Sequence, residues 1–592
     1  MYSVIENARI VLALLKKHNI RHIVVSPGGS NIPIVQGVQD DPFFKCYSVV
    51  DERSAMYVAI GIYLETGEIV ATSCTSAQAT RNYIPGLTEA FYKRVPILAI
   101  TTSKHPLYVG QEYMQSPIQT SLPVDAVKRS FSLPRITSTE DRELCVRRTN
   151  EAILELTHHS YGPVQLNLEV LDSETWSLGD LSLPDVKKIE RYYLRDLENI
   201  VSYLNNKKIL IVIGEHPGFN NKEAKIIDDF CEKYNTFVYT SHISNYHGTY
   251  AMNALPVIVG ASAKLFEQTL MPDLVICIGG TTGDYDLYFK LRYGLADSVE
   301  LWRVNLDGDI IDTYGRLTKV FQMNPVDFFD FFVHIDNTIL PHNHEYHNAW
   351  KTIMQSTSTD EVELPFSNVY AAQQLHNYLP ENSNINFGIL NSFRSWLYYN
   401  IHPSIKGFCN VGGFGIDGCL STMLGQSLVS NNLCFIVLGD LSFLYDMNSI
   451  AIRHIKNNVR ILLCNNNGGV EFKINQIHNQ IDVSRYVAAD GHFHSAKAWA
   501  EDNGYKYMSA DSKESFNNQI SEFVQESDAP IIYEIFTNPE AEKEALTLVR
   551  KSCVVRTDEE QKNKDKRNKI KNVVTSLIGD KGLNVVKNIL KK

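Results

Sequence analysis

Two polar clusters, each at the end of an apolar run, carry the densest chemistry in this chain. Cys434-Phe435-Ile436-Val437-Leu438 leads into Gly439-Asp440-Leu441-Ser442-Phe443, and Arg460-Ile461-Leu462-Leu463-Cys464 leads into Asn465-Asn466-Asn467-Gly468-Gly469. Both runs read as buried strands of a parallel sheet. The clusters therefore fall at carboxyl ends of strands, where open α/β sheets take their ligands. An Asp carboxylate, an Asn amide oxygen and a backbone carbonyl beside glycine offer hard oxygen donors to a divalent cation and leave room for diphosphate oxygens and water. The pair reads as a diphosphate-metal clamp, against the plainer alternative of two ordinary strand-end turns.

A second signal lies near the N-terminus. Ile23-Val24-Val25 runs into Ser26-Pro27-Gly28-Gly29-Ser30-Asn31, and further on stands Tyr47-Ser48-Val49-Val50-Asp51-Glu52-Arg53-Ser54-Ala55. Taken alone, Asp51 is a helix cap and Glu52 a first-turn acid stabilised by the helix dipole.

Together the two signals resemble the GD…NN signature of thiamine-diphosphate enzymes. The resemblance implies that Asp440, Asn466 and the Gly468 carbonyl hold magnesium, with manganese as an alternative. Gly439, Leu441 and Ser442 complete the cofactor-binding turn. Glu52 becomes the acid that hydrogen-bonds the aminopyrimidine ring and promotes deprotonation of the thiazolium. Ser26-Pro27-Gly28, Asp51-Glu52-Arg53-Ser54-Ala55, Cys74-Thr75-Ser76, Asn82 to Ala90, Gly415-Ile416-Asp417-Gly418-Cys419-Leu420-Ser421-Thr422 and Gly439 to Asn448 are similar to the 2-succinyl-5-enolpyruvyl-6-hydroxy-3-cyclohexene-1-carboxylate synthases, the MenD-type enzymes of menaquinone synthesis. That similarity covers residues 1 to about 545. It makes Ile416 the apolar prop under the bent cofactor and Gln115 a catalytic side chain over the reacting carbon, and it places Ser30, Asn31, Lys104, Ser392 and Arg394 around the substrate.

The departures matter as much. Where the family carries substrate arginines, this chain has Ser30, Val411 and Trp396; Lys104 keeps a cation, and Arg394 is out of register. Ser, Val and Trp cannot reproduce a planar guanidinium fork. The expectation is decarboxylation of a 2-oxo acid, with its acyl carbanion passed to an acceptor or protonated, on a substrate other than that of the menaquinone enzyme. Two alternatives stay open: the menaquinone synthase itself, and a catalytically silent scaffold. The intact Glu52, Asp440 and Asn466 argue against the scaffold. His105, His492 and His494 are proton-carrier candidates by residue type alone.

At 592 residues the chain is too long for one core. Strand-helix alternation recurs three times, predicting an α/β protein of three doubly wound parallel-sheet domains. These are a pyrimidine-binding domain at 1–185, a central Rossmann-like domain at 192–335 and a diphosphate-binding domain at 366–548, joined by a polar stretch near Pro184 and a His/Asn-rich connector from Pro341 to Pro365. Ile209 to Gly214 and Leu274 to Gly280 lack G-x-G-x-x-G, so neither marks a dinucleotide site. His342, His344 and His347 read as connector residues and not as metal ligands. A 551–592 tail follows, amphipathic over 570–590, which lies outside the resemblance and is expected to dock on protein.

The net charge of −11 argues against nucleic acid as a partner. Ten scattered cysteines without C-x-x-C spacing argue against structural zinc and for reduced thiols. No leader or spanning segment is evident. The reading is therefore a cytoplasmic enzyme with small-molecule partners, a 2-oxo acid and an acceptor, working as a homodimer or homotetramer. In the resembled family the first and third domains meet across the subunit interface.

Overall fold

The computed structural model describes residues 2–336, 343–357, 359–474 and 481–562. His342 and the amphipathic stretch 570–590 lie outside these residues. Among the described residues the chain forms two compact units, one of residues up to 195 with 305–323, the other of residues 196–304 with those from 324 onward.

Unit 1 is built on six strands, β1 His22–Val25, β2 Lys45–Ser48, β3 Val70–Cys74, β4 Ile97–Ser103, β5 Ser130–Leu133 and β6 Val164–Glu169. Their order is β2-β1-β3-β4-β6-β5, and every ladder is parallel. Successive side chains of a strand point to opposite faces, and both faces here are covered. Ile23 and Val25 enter one core with Leu98 and Leu166, whereas Val24 enters another with Ile97 and Ala99. This double burial explains why the strands read as unbroken apolar runs. Within unit 1, Leu317–Gln322 also pairs in parallel with Glu190–Tyr192.

Unit 2 carries β7 Ile209–Ile213, β8 Thr236–Tyr239, β9 Ala251–Met252, β10 Leu274–Ile278 and β11 Glu300–Asn305, in the order β9-β8-β7-β10-β11. Its other sheet comprises β12 Asn384–Phe387, β13 Lys406–Cys409, β14 Cys434–Gly439, β15 Val459–Asn465, β16 Lys506–Ala510 and β17 Ile531–Phe536, in the order β13-β12-β14-β15-β17-β16. Phe435, Val437 and Leu462 face one core, and Ile436, Leu438 and Ile461 face the other. The chain is thus an α/β protein of several parallel-sheet domains.

One stretch departs from expectation. Part of the segment read as a solvated connector forms helix Glu345–Met354, with Tyr346 and Trp350 buried. The Trp350 ring stacks on Phe237 at 4.2 Å, so apolar burial outweighs the polar composition. The start of the tail is also fixed. Val555 bridges Ala261, Glu560 accepts from Ser262 Oγ at 2.6 Å, and a Cβ on Gly260 would sit 1.8 Å from the Cys553 carbonyl oxygen. Among the described residues no helix is long and apolar enough to cross a membrane.

Candidate active site

The parallel register sets Gly439 of β14 opposite Cys464 of β15, so the Asp440 and Asn466 turns emerge side by side. Asp440 opens helix Asp440–Asp446 and is 3% exposed. Its Oδ2 accepts from the N–H of Asn466 (3.1 Å) and of Gly468 (3.0 Å), and its Oδ1 accepts from the Leu441 N–H at 2.7 Å. One carboxylate thereby ties both sequence clusters together.

His492 completes the set. Its Nδ1 accepts from the His494 N–H at 3.0 Å, so the neutral ring carries its proton on Nε2 and donates it to Asp440 Oδ2 at 3.1 Å. Asn465 is held from behind by Glu534, which is fully buried and also accepts from Ser495 Oγ (2.8 Å) and the Tyr507 hydroxyl (2.7 Å). A cavity of about 310 Å³ opens here, lined by Asp440, Phe443, Asn465, His492 and Glu534 among others.

One observation fits this turn to a cation, and a second shows why the turn needs glycine. Asn466 Oδ1 is buried and has no hydrogen-bond partner among the described residues, an arrangement that costs free energy unless a ligand or water completes it. Gly468, at φ +154°, is packed against the chain's own Asp490 and Ala488, since a Cβ there would lie 2.4 Å from Asp490 Oδ1 and 2.9 Å from the Ala488 carbonyl oxygen. Among the described residues no group of three His, Cys, Asp or Glu side chains is placed to hold a metal. The oxygens this turn carries are one carboxylate, one amide and backbone carbonyls, donor types that suit magnesium retaining water and phosphate oxygens.

The neighbouring residues of unit 2 are firmly packed. Ser442 Oγ donates to the Ile416 carbonyl at 2.6 Å, joining the Asp440 turn to the half-buried 410–418 loop. Helix Asn391–Trp396 carries Ser392, buried, and Arg394, whose guanidinium forms a two-pronged pair with Glu471 at 3.0 Å for each prong. Trp396 and Val411 are buried at 0% and 3% exposure. Sequence reasoning missed Glu542. Its Oε1 accepts from the Asn368 N–H (2.9 Å) and Thr537 Oγ1 (2.8 Å), while burial pushes its carboxyl up to about 6. Only its place after β17, at the carboxyl end of a strand, hinted at it.

Unit 1 holds the other candidates, also beyond carboxyl ends of strands. Asp51 caps helix Glu52–Thr66, accepting from the Arg53 N–H and Ser54 Oγ at 3.0 Å each. The half-buried Glu52 accepts from Asn82 Nδ2 at 3.0 Å. Ser30 Oγ is engaged by Thr75 Oγ1 (2.7 Å), Thr102 Oγ1 (2.6 Å) and the Ser76 N–H (3.0 Å). Asn31 Nδ2 donates to the Ser26 carbonyl at 3.0 Å, and its Oδ1 is buried without a partner among the described residues. Lys104 pairs with Asp172. Gln115 is exposed and left-handed at φ 55°. His105 stands 3.7 Å from Glu169.

Comparison with known proteins adds an independent line. Residues 5–122 match the family model of the thiamine pyrophosphate enzyme N-terminal TPP binding domain. The chain is 34% identical over 561 residues to a protein of Bacteroides thetaiotaomicron, covering 91% of this chain and 97% of that one. It is 33% identical over 566 residues to one of Phocaeicola vulgatus, covering 93% and 98%, and 32% identical over 555 residues to one of Bacteroides fragilis, covering 91% and 97%. All three are named 2-succinyl-5-enolpyruvyl-6-hydroxy-3-cyclohexene-1-carboxylate synthase.

Proposed function

Because the chain belongs to the family of 2-succinyl-5-enolpyruvyl-6-hydroxy-3-cyclohexene-1-carboxylate synthases, a MenD-type group of thiamine-diphosphate-dependent enzymes, we propose that it decarboxylates a 2-oxo acid and delivers the acyl unit to an acceptor or a proton, on a substrate different from that of its named relatives. Thiamine diphosphate, when bound, supplies the electron sink for this chemistry. Asp440, Asn466 and the Gly468 carbonyl would hold magnesium, whose charge would bind the diphosphate. The Gly439 to Ser442 turn would lie beside it, and Ile416 would support the cofactor from the apolar side. Glu52 would hydrogen-bond the aminopyrimidine ring, and Gln115 would lie over the reacting carbon. In this reading the functional unit is at least a dimer, with domains at 1–185, 192–335 and 366–548.

The observation that carries the changed substrate is the state of the cation positions. The Ser30 hydroxyl is spent on Thr75, Thr102 and Ser76, and Trp396 and Val411 are buried without charge. The remaining cations, Lys104 and Arg394, are each neutralised by a carboxylate of their own unit. A polycarboxylate gripped by guanidiniums is poorly served by such residues. A second reading, the menaquinone synthase itself, is favoured by the names of the relatives at 32–34% identity.

The test is reconstitution. Protein stripped of metal and thiamine should release carbon dioxide from a member of a 2-oxo acid panel only when both are restored. Release without thiamine diphosphate, or none from any member with or without candidate acceptors, would contradict the proposal.

A further inference from the structure

Helix Thr139–Glu155 buries Cys145, Val146, Thr149, Asn150, Ala152 and Ile153, the spacing of a stripe that faces a core. Arg147, Arg148, Glu151 and Glu155 fall on its flank, beside β5, the edge strand of the unit 1 sheet. Among the described residues no further strand pairs with that edge. A cavity of about 480 Å³ opens there, bounded by Arg129, Arg147, Arg148 and Arg191, with Phe131 and Ile311 in its apolar lining. All of these residues belong to unit 1.

The charges around this cavity do not balance. Glu151 pairs with Arg147 at 2.7 Å. Glu155 is taken up by Lys128 Nζ at 3.3 Å and by His158 Nδ1 at 3.2 Å. Asp309, exposed at the rim, attracts Arg191, whose Nε and Nη1 donate to the Gly308 (3.1 Å) and Leu154 (2.9 Å) carbonyls. Arg129 lies over the Phe131 ring at 4.7 Å, and Arg148 donates to the Ser132 carbonyl. Among the described residues neither of these two guanidiniums forms an ion pair with a carboxylate. With His158 neutral, four arginines and the adjoining Lys128 face three carboxylates, which leaves two positive charges over. Glu151 does little to offset them, because burial pushes its carboxyl up against the pull of Arg147, Arg129 and Arg148. Guanidiniums gathered this way repel one another, and their planar forks match the paired oxygens of a phosphoryl or carboxylate group. The volume suits a small molecule, and Phe131 and Ile311 offer apolar surface to the body that carries the charge.

We propose that this cavity is a binding site for a compact dianion, a phosphate monoester or a dicarboxylate, with Arg129 and Arg148 as the cations that hold it. The site takes no residue from the thiamine-diphosphate reading of the Asp440 turn, so either can fail without the other.

The experiment uses full-length protein loaded with thiamine diphosphate and magnesium and then freed of excess cofactor, so that the Asp440 turn is already occupied. Calorimetric titration with inorganic phosphate and, separately, with succinate should show saturable binding of at least one of them, at one ion per chain. Phosphate alone marks a phosphoryl ligand, and succinate alone a dicarboxylate. The double variant Arg129→Gln with Arg148→Gln, its fold checked by circular dichroism, should bind that ion at least about tenfold more weakly. Lys222→Gln with Lys225→Gln, which removes the same charge from helix Asn221–Lys233 of unit 2, should bind it as the wild type does. If the double variant does not fold, Arg129→Gln carries the test, because that residue is exposed, and it should weaken binding at least about threefold. Saturable binding of neither ion, unchanged affinity in the arginine variant, or an equal loss in the lysine variant would overturn the site.

Discussion

Asp440→Ala removes the one side chain that holds both halves of the candidate clamp. Two of its bonds, from the Asn466 and Gly468 N–H groups at 3.1 and 3.0 Å, order the 466–468 turn. A hydrogen bond to a charged group contributes roughly 1.5–3 kcal/mol, so the two together are worth about 3–6 kcal/mol of local order, apart from the lost cation ligand. Even the lower figure corresponds to about two orders of magnitude in affinity. Calorimetric titration of the metal-replete protein with thiamine diphosphate should show at least that loss. Asp440→Asn preserves volume and one acceptor oxygen, so it should fall between the wild type and Asp440→Ala, with its fold intact by circular dichroism. Unchanged thiamine-diphosphate affinity in a folded Asp440→Ala protein would refute the reasoning, because no other described carboxylate bridges the two turns.

Three further outcomes follow from the same account. Glu52→Gln should bind thiamine diphosphate nearly as well as the wild type and lose about 10²- to 10⁴-fold in turnover, and unchanged hydrogen-deuterium exchange at the thiazolium carbon would count against its role. Mixing inactive Glu52→Gln with inactive Asp440→Ala should restore part of the activity if one copy's Glu52 serves the other's metal turn; demonstrated subunit exchange with no recovery rules that arrangement out. Burial lifts the Glu542 carboxyl from 4.5 to about 6, so the folded protein holds that proton more tightly than the unfolded chain. Its contribution is complete below about pH 4.5 and is lost as pH rises through about 6, by roughly 2 kcal/mol at about 1.4 kcal/mol per pH unit. Denaturant unfolding should therefore show wild type losing about that much relative to Glu542→Gln between about pH 3.5 and about pH 7, and a pH-independent difference would contradict it.

The parallel strands and the turns at their ends were legible because buried strands leave continuous apolar runs, as in Cys434 to Leu438 and Arg460 to Cys464. Asp51 and Glu52 were legible for a similar local reason, since a cap and a first-turn acid announce a helix start. Long-range pairings left no such trace. His492 reaches Asp440 across 52 residues and Arg394 reaches Glu471 across 77. Neither pairing has a period or spacing that a sequence displays. The placement of 305–323 with unit 1 depends on Lys319 pairing with Glu190, a choice of partner strand that composition does not encode. Helix Glu345–Met354 was masked by its many polar residues, although Tyr346 and Trp350 stand four apart on one face and supply the burial that holds it.

The central claim, that MenD-type cofactor chemistry here serves a different substrate, is tested most directly by offering the reconstituted enzyme 2-oxoglutarate with isochorismate. Three missing charge-assisted contacts at roughly 1.5–3 kcal/mol each predict a kcat/KM for the menaquinone intermediate at least about a thousandfold below that for the best 2-oxo acid and acceptor pair found. Efficient synthesis of that intermediate, with kcat/KM equal to or above every other pair, would contradict the account and identify the chain as the menaquinone enzyme itself.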